Sequence, residues 1–273
     1  MLKIRFVFIY IGLILISSVA IISCSDDNIV TPLSVDSSDF RYPFTDGSSW
    51  NYTITISASD IRPDSIRHYF AAYPLVKTGT AKILYDTIIN SVATKCFVDE
   101  YIDNGFSNSN RYYYINNDTA LILYARRQNG LGNGGMLPLR KIINDLIDSY
   151  DKLNKIAGNE LEVLDTLYST LNYPMESGRE WSYTLNGTTT NKKYLGFENI
   201  IGPLGTISCM KENVVYSYAP SWLNNYFYSK YGLIKTYTFI NDLVHTSITN
   251  PDGDGTFDIT EETIVTSFNI PSQ

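Results

Sequence analysis

The sequence predicts a mainly β protein, built as two tandem antiparallel modules with one amphipathic helix between them. Three observations carry that prediction. The composition suits pleated, half-buried surfaces: of 273 residues, 44% are hydrophobic, 14% aromatic and only 18% charged, with 22 Tyr. A twelve-residue phrase occurs twice, YPFTDGSSWNYT at 42–53 and YPMESGREWSYT at 173–184, with six identical positions that include the scarce Trp and Pro. After each phrase the apolar residues alternate: Trp50, Tyr52, Ile54 and Ile56 share one parity, and Trp181, Tyr183 and Leu185 repeat it. Period two with one apolar face is a half-buried strand.

The chain opens with MLKIRFVFIYIGLILISSVAIISCSDD, two basic residues followed by a long apolar run and small residues before Cys24. That layout is a secretory signal over 1–23, with an uncleaved membrane anchor as the competing reading. Ile21-Ile22-Ser23-Cys24 resembles a bacterial lipobox, which implies that the Cys24 thiol is acylated and becomes the first mature residue. Ser25-Asp26-Asp27 is similar to the acidic surface-export tract of Bacteroidota-type lipoproteins, implying a lipid-anchored protein of the outer membrane, exposed at the surface of a Gram-negative cell. Residues 24–40 are polar and turn-rich and read as a flexible tether. Beyond the signal, 19 basic residues face 28 acidic ones. An acidic surface repels phosphate backbones, so nucleic acid is not an expected partner.

Module 1 is expected over 41–130 and module 2 over 159–273. In each, Tyr-Pro and the following Gly form a turn that feeds the Trp strand. The same landmarks follow in the same order: a Cys-containing strand around Cys96 and Cys209, then an aromatic hairpin at 112–124 and 226–237. Ordered repetition points to a duplicated unit, against a single sheet that merely reuses a turn. Between the modules lie a Gly-rich stretch and a helix, together 131–158. Leu139, Ile142, Ile143, Leu146, Ile147, Tyr150, Leu153 and Ile156 recur at helical spacing, with Pro138 suited to the first turn and Gly158 to the stop.

ENIIGPLGTISCMK at 198–211 and YSKYGLIKTY at 228–237 resemble the P-x-G-x-x-x-C and Y-G-L-I-K type phrases of secreted bacterial domains of unknown function. DTIINSVATKCF at 86–97 is similar to a phrase of related lipoproteins, with Ser91 in place of a Gly and, in the second module, Ile207 in place of a Phe. The resemblance implies curved, half-barrel-like sheets and no particular activity.

Chemistry-bearing patterns are sparse. Gly130 to Gly135 matches G-x-G-x-x-G in letters, but no parallel βαβ unit surrounds it. NPDGDGTFDITE at 250–261 places oxygen donors Asn250, Asp252, Asp254, Asp258 and Glu261 at the spacing of a calcium loop, with Gly255 at the sharp turn. Its β-branched flanks equally suit a hairpin turn between two final strands. Ca2+ is the one cofactor the sequence leaves open. The two His residues form no metal or triad spacing, so no catalytic residue is expected. Cys96 and Cys209 suit either a disulfide or a buried small residue in each module. Trp222, Tyr226 and Tyr228 would make a stacking platform for a glycan or protein ligand if exposed, and ordinary core if buried. The expected function is therefore a non-enzymatic, lipid-anchored binding or scaffolding module. The alternatives are a lipid or lipoprotein carrier with an apolar concave sheet, and a hydrolase of surface polymers.

Overall fold

The computed structural model describes residues 40–103, 106–129, 161–185, 187–245 and 254–271, all within one compact unit. Cys24 and the helix expected over 138–157 fall outside the described residues. Among the described residues, twelve strands follow one another: β1 (Ser49–Arg62), β2 (Leu75–Ile89), β3 (Val92–Asp103), β4 (Phe106–Asn116), β5 (Ala120–Asn129), β6 (Glu162–Asn172), β7 (Glu180–Leu185), β8 (Thr188–Gly202), β9 (Gly205–Tyr216), β10 (Ala219–Ser229), β11 (Gly232–His245) and β12 (Gly255–Asn269). They form one antiparallel sheet in the order β6-β5-β4-β3-β2-β1-β12-β11-β10-β9-β8-β7. Each half is thus a six-stranded meander, and β1 pairs with β12 to join them. A 3-10 helix, Asp64–Phe70, which the sequence pattern did not announce, packs Ile66 and Phe70 against Ile61 and Phe257 beside the β1–β2 connection.

The repeated phrase builds the same turn twice. Ser48 N–H donates to Thr45 O and Arg179 N–H to Glu176 O, closing four-residue turns whose third residue is Gly47 in one and Gly178 in the other. Both glycines have positive φ, +82° and +86°, which a side chain would strain. Each turn then docks on the neighbouring hairpin in the same way. Gly47 N–H donates to Ile83 O and Ile83 N–H to Ser48 O; Gly178 N–H donates to Tyr194 O and Tyr194 N–H to Arg179 O. Trp50 and Trp181 follow as the second residues of β1 and β7. Their indole N–H groups both donate to a main-chain carbonyl, Tyr231 O at 2.6 Å and Ser169 O at 3.1 Å. Trp50 is fully buried because β12 covers its strand edge; Trp181 is only partly buried because β7 is an edge strand.

Inward-facing residues of both halves make one core, with Trp50, Tyr52, Ile83, Tyr194, Met210 and Ile259 among its largest members. Two register shifts, between Ile83 and Asp86 in β2 and between Tyr194 and Gly196 in β8, bend the β2–β3 and β8–β9 hairpins. Their tips bury Cys96 and Cys209 in two small clusters on the outer face, with Tyr113 in one and Phe227 in the other. The cysteines are free and separate, so the disulfide reading is replaced by two buried thiols.

The sheet curls but does not close into a barrel. Its edges β6 and β7 meet through side chains of inward-facing residues rather than through a backbone ladder. Trp181 donates to Ser169 O, Lys192 Nζ to Thr170 O at 2.7 Å, and Tyr194 OH to Asn172 O at 2.9 Å. Asn172 N–H returns a bond to the Tyr194 hydroxyl at 3.1 Å.

Candidate functional site

Strand alternation sorts the predicted residues onto faces. Tyr226 and Tyr228 lie on the inner face of β10, stacked at 6.4 Å and both buried. They are core, and no exposed platform includes them. Burial pushes both hydroxyls up, with neighbouring tyrosines and the Glu212 carboxylate adding to it. Trp222 lies apart from them. A register irregularity between Ala219 and Asn224 takes it out of the ladder, and its ring meets the edge of Tyr218 at 6.0 Å. Tyr218 in turn stacks on Tyr216 at 5.5 Å and is 41% exposed. The three rings form an aromatic corner at the β9–β10 turn. Sequence reasoning missed Tyr216 and Tyr218, although S-Y-A-P-S-W stood in the same aromatic run. Beside the corner, Ser217 N–H donates to Thr189 O, and Thr189 N–H to the Ser217 hydroxyl. These bonds tie the β9–β10 turn to the start of β8.

The acidic loop is not assembled as one ligand set among the described residues. β11 and β12 form an antiparallel hairpin, with His245 opposite Gly255. Asn250 and Asp252 lie outside the described residues, and Asp254 is exposed just before β12. Asp258 and Glu261 are three apart on one strand, so they face opposite sides. Glu261 is buried beside Ile259 and Thr263 on the inner face, while the Asp258 carboxylate accepts Asp242 N–H at 3.0 Å. One ion cannot take both.

The inner face carries its own polar chemistry. Asp99 and Glu212, each three residues past a cysteine landmark, are fully buried. Tyr52 OH donates to Asp99 Oδ1 at 2.5 Å. Lys192 Nζ donates to Glu212 at 3.2 and 3.3 Å and lies over the Trp181 ring at 5.7 Å. Burial pushes the Glu212 carboxyl above its ordinary value, and the Lys192 charge and a bond from Tyr228 pull it partly back. These groups are engaged in holding strands together: Tyr52 ties β1 to β3, and Lys192 ties β9 to the edge of β6. Among the described residues, no three His, Cys, Asp or Glu side chains gather as a metal site.

Up-and-down connectivity gives the sheet two ends. One end gathers the β2–β3, β4–β5, β6–β7, β8–β9 and β10–β11 turns, with the start of β1 and the end of β12, where Ser49 pairs with Asn269. Residues 40–48 cross this end: Arg41 Nη1 donates to Asn117 O and Tyr42 N–H to the Tyr173 hydroxyl. The aromatic corner is at the other end, with the β7–β8 turn and the 3-10 helix.

No family model matches the chain, and no curated protein matches it. Two solved structures are loosely similar. One, named as an exported protein with YmcC-like fold from Bacteroides fragilis, is 9% identical, with a TM-score of 0.39 over 84% of this chain and 99% of that one. The other, named as a lipoprotein from Parabacteroides distasonis, is 12% identical, with a TM-score of 0.35 over 84% and 97%. At these scores the likeness carries no argument.

Proposed function

We propose that the chain is a non-enzymatic, lipid-anchored protein of the bacterial outer membrane that binds glycan at the aromatic corner of Tyr216, Tyr218 and Trp222. The corner carries this reading, because it exposes aromatic surface at Tyr218, at the end of the sheet opposite Phe40. A sugar ring packs its C–H face on an aromatic ring, and Tyr and Trp suit such contacts because they pair a large apolar body with a polar handle. The lipobox at Cys24 and the acidic Ser25-Asp26-Asp27 tract support the anchoring and the membrane assigned.

The alternatives fit the described residues less well. A carrier needs an open apolar concavity, whereas the concave face is packed with Trp50, Tyr52, Tyr194 and Met210. A hydrolase needs convergent carboxylates in a cleft, whereas Asp99 and Glu212 are fully buried and bonded. Titration of the protein with cell-surface polysaccharide fragments, followed by isothermal titration calorimetry, tests the proposal. Saturable binding lost in Trp222→Ala supports it. Binding that Trp222→Ala and Tyr218→Ala leave unchanged sinks it, as does binding to unstructured peptides alone.

A further inference from the structure

The two bent hairpins expose apolar residues at matching places. Ile88 and Ile201 each lie eight residues before a buried cysteine, and they are 74% and 82% exposed. Leu84 and Phe197 each lie twelve residues before the same cysteines, and both are also exposed. Packing inside the hairpins does not need them, since Ile89 in one and Ile200 in the other serve the cysteine clusters. Both tips, Ile89 to Val92 and Gly202 to Gly205, belong to the end of the sheet crossed by residues 40–48.

The described chain begins at that end, at Phe40. Cys24 is sixteen residues before Phe40, so even a fully extended tether reaches at most about 55 Å. Phe40 is buried at the same end as the tips. We infer that this end of the sheet rests on the membrane that holds the lipid anchor, with Ile88 and Ile201 seated in the interface between headgroups and acyl chains. The inference rests on the anchoring of Cys24 proposed above. It places the aromatic corner on the side facing away from the bilayer. Contact is apolar rather than electrostatic, because the acidic Asp86 and Asp118 flank the tips alongside the cations Arg41 and Lys230.

The test uses the acylated full-length protein in vesicles of phosphatidylethanolamine and phosphatidylglycerol carrying doxyl-labelled lipid. An environment-sensitive dye is attached at Ile88→Cys or Ile201→Cys. Matching controls at the far end are Val76→Cys and Val244→Cys, whose parent residues are exposed as well. Cys96 and Cys209 are fully buried and stay unlabelled. Interfacial groups penetrate ~5–10 Å, so the tip labels are expected to shift to the blue and to be quenched at least about twofold more than the controls. Equal quenching at both ends in protein that floats with the vesicles overturns the orientation while leaving the anchor intact. Failure of the acylated protein to float overturns the anchor reading and the orientation with it. A blue shift of the tip labels without vesicles assigns the tips to a second copy of the chain and also overturns the inference.

Discussion

Replacing Lys192 with Met should be among the most damaging single changes in the sheet. The ammonium sits 3.2 Å from Glu212 Oε2 and donates to the Thr170 carbonyl at 2.7 Å, so it joins β9 through β8 to the free edge of β6. Its side chain is 8% exposed and that of Glu212 is fully buried. At 3.2 Å and an effective dielectric constant near 20, the two charges attract by about 5 kcal/mol. Removing one partner of a buried pair typically costs about 3–5 kcal/mol, because the other charge stays desolvated. For a domain of this size about 1 kcal/mol moves the melting temperature by roughly 2–4 °C, so a loss of about 6–20 °C is expected. Lys192→Met combined with Glu212→Leu should recover most of it, since apolar replacement of both partners is often close to neutral. Denaturant unfolding of the four proteins in a double-mutant cycle measures the coupling. Single variants within about 1 kcal/mol of the parent, or a double variant as poor as the sum of its parts, would refute the reasoning.

The same carboxyl sets a pH dependence with a definite sign. Burial raises the folded-state pKa of Glu212 above its ordinary 4.5, so the folded chain holds that proton more tightly than the unfolded chain. Its contribution to stability is then fully present below the unfolded value and is lost as pH rises through the raised folded value. Glu212→Gln should flatten that part of the stability curve. Lys192→Met should extend it upward, because the charge that pulls the carboxyl back is gone.

Changing Cys24 to Ser should release the protein from membranes in cell fractionation, and an unchanged membrane fraction with an intact signal would count against acylation. Millimolar calcium should leave the melting temperature unaltered, because Asp258 and Glu261 face opposite sides of β12; a rise that Asp254→Ala abolishes would restore the calcium loop. Gly79→Ala should destabilise by about 1–3 kcal/mol in denaturant unfolding. A Cβ there would occupy the space of the Tyr52 ring and hydroxyl, which Asp99 holds in place across the inner face. Near-parent stability would show that Tyr52 can move without cost.

Some features were legible in the sequence because their causes are local. Gly47 and Gly178 are required where a turn takes positive φ, and Pro and Trp fix what precedes and follows it, so the repeated phrase announced two identical turns. Alternation placed Trp50, Tyr52, Ile54 and Ile56 on one buried face, which is where they lie. The aromatic hairpins at 112–124 and 226–237 appear as β4–β5 and β10–β11.

Tertiary structure decided what depends on partners far apart in the chain. Nothing near residue 255 says that the last strand pairs with the first, yet that pairing makes one sheet of two meanders. Parity showed that Tyr226 and Tyr228 share a face but not which face, because that depends on how the sheet curls and which side fills. Trp222 meets Tyr218, four residues before it, rather than Tyr226, four residues after it, because the irregularity between Ala219 and Asn224 takes it out of the ladder, and alternation alone could not show that. The edges β6 and β7 approach one another only through Trp181, Lys192 and Tyr194. A side chain that satisfies a backbone carbonyl across a gap leaves no periodic trace in sequence, whereas a strand or a turn does.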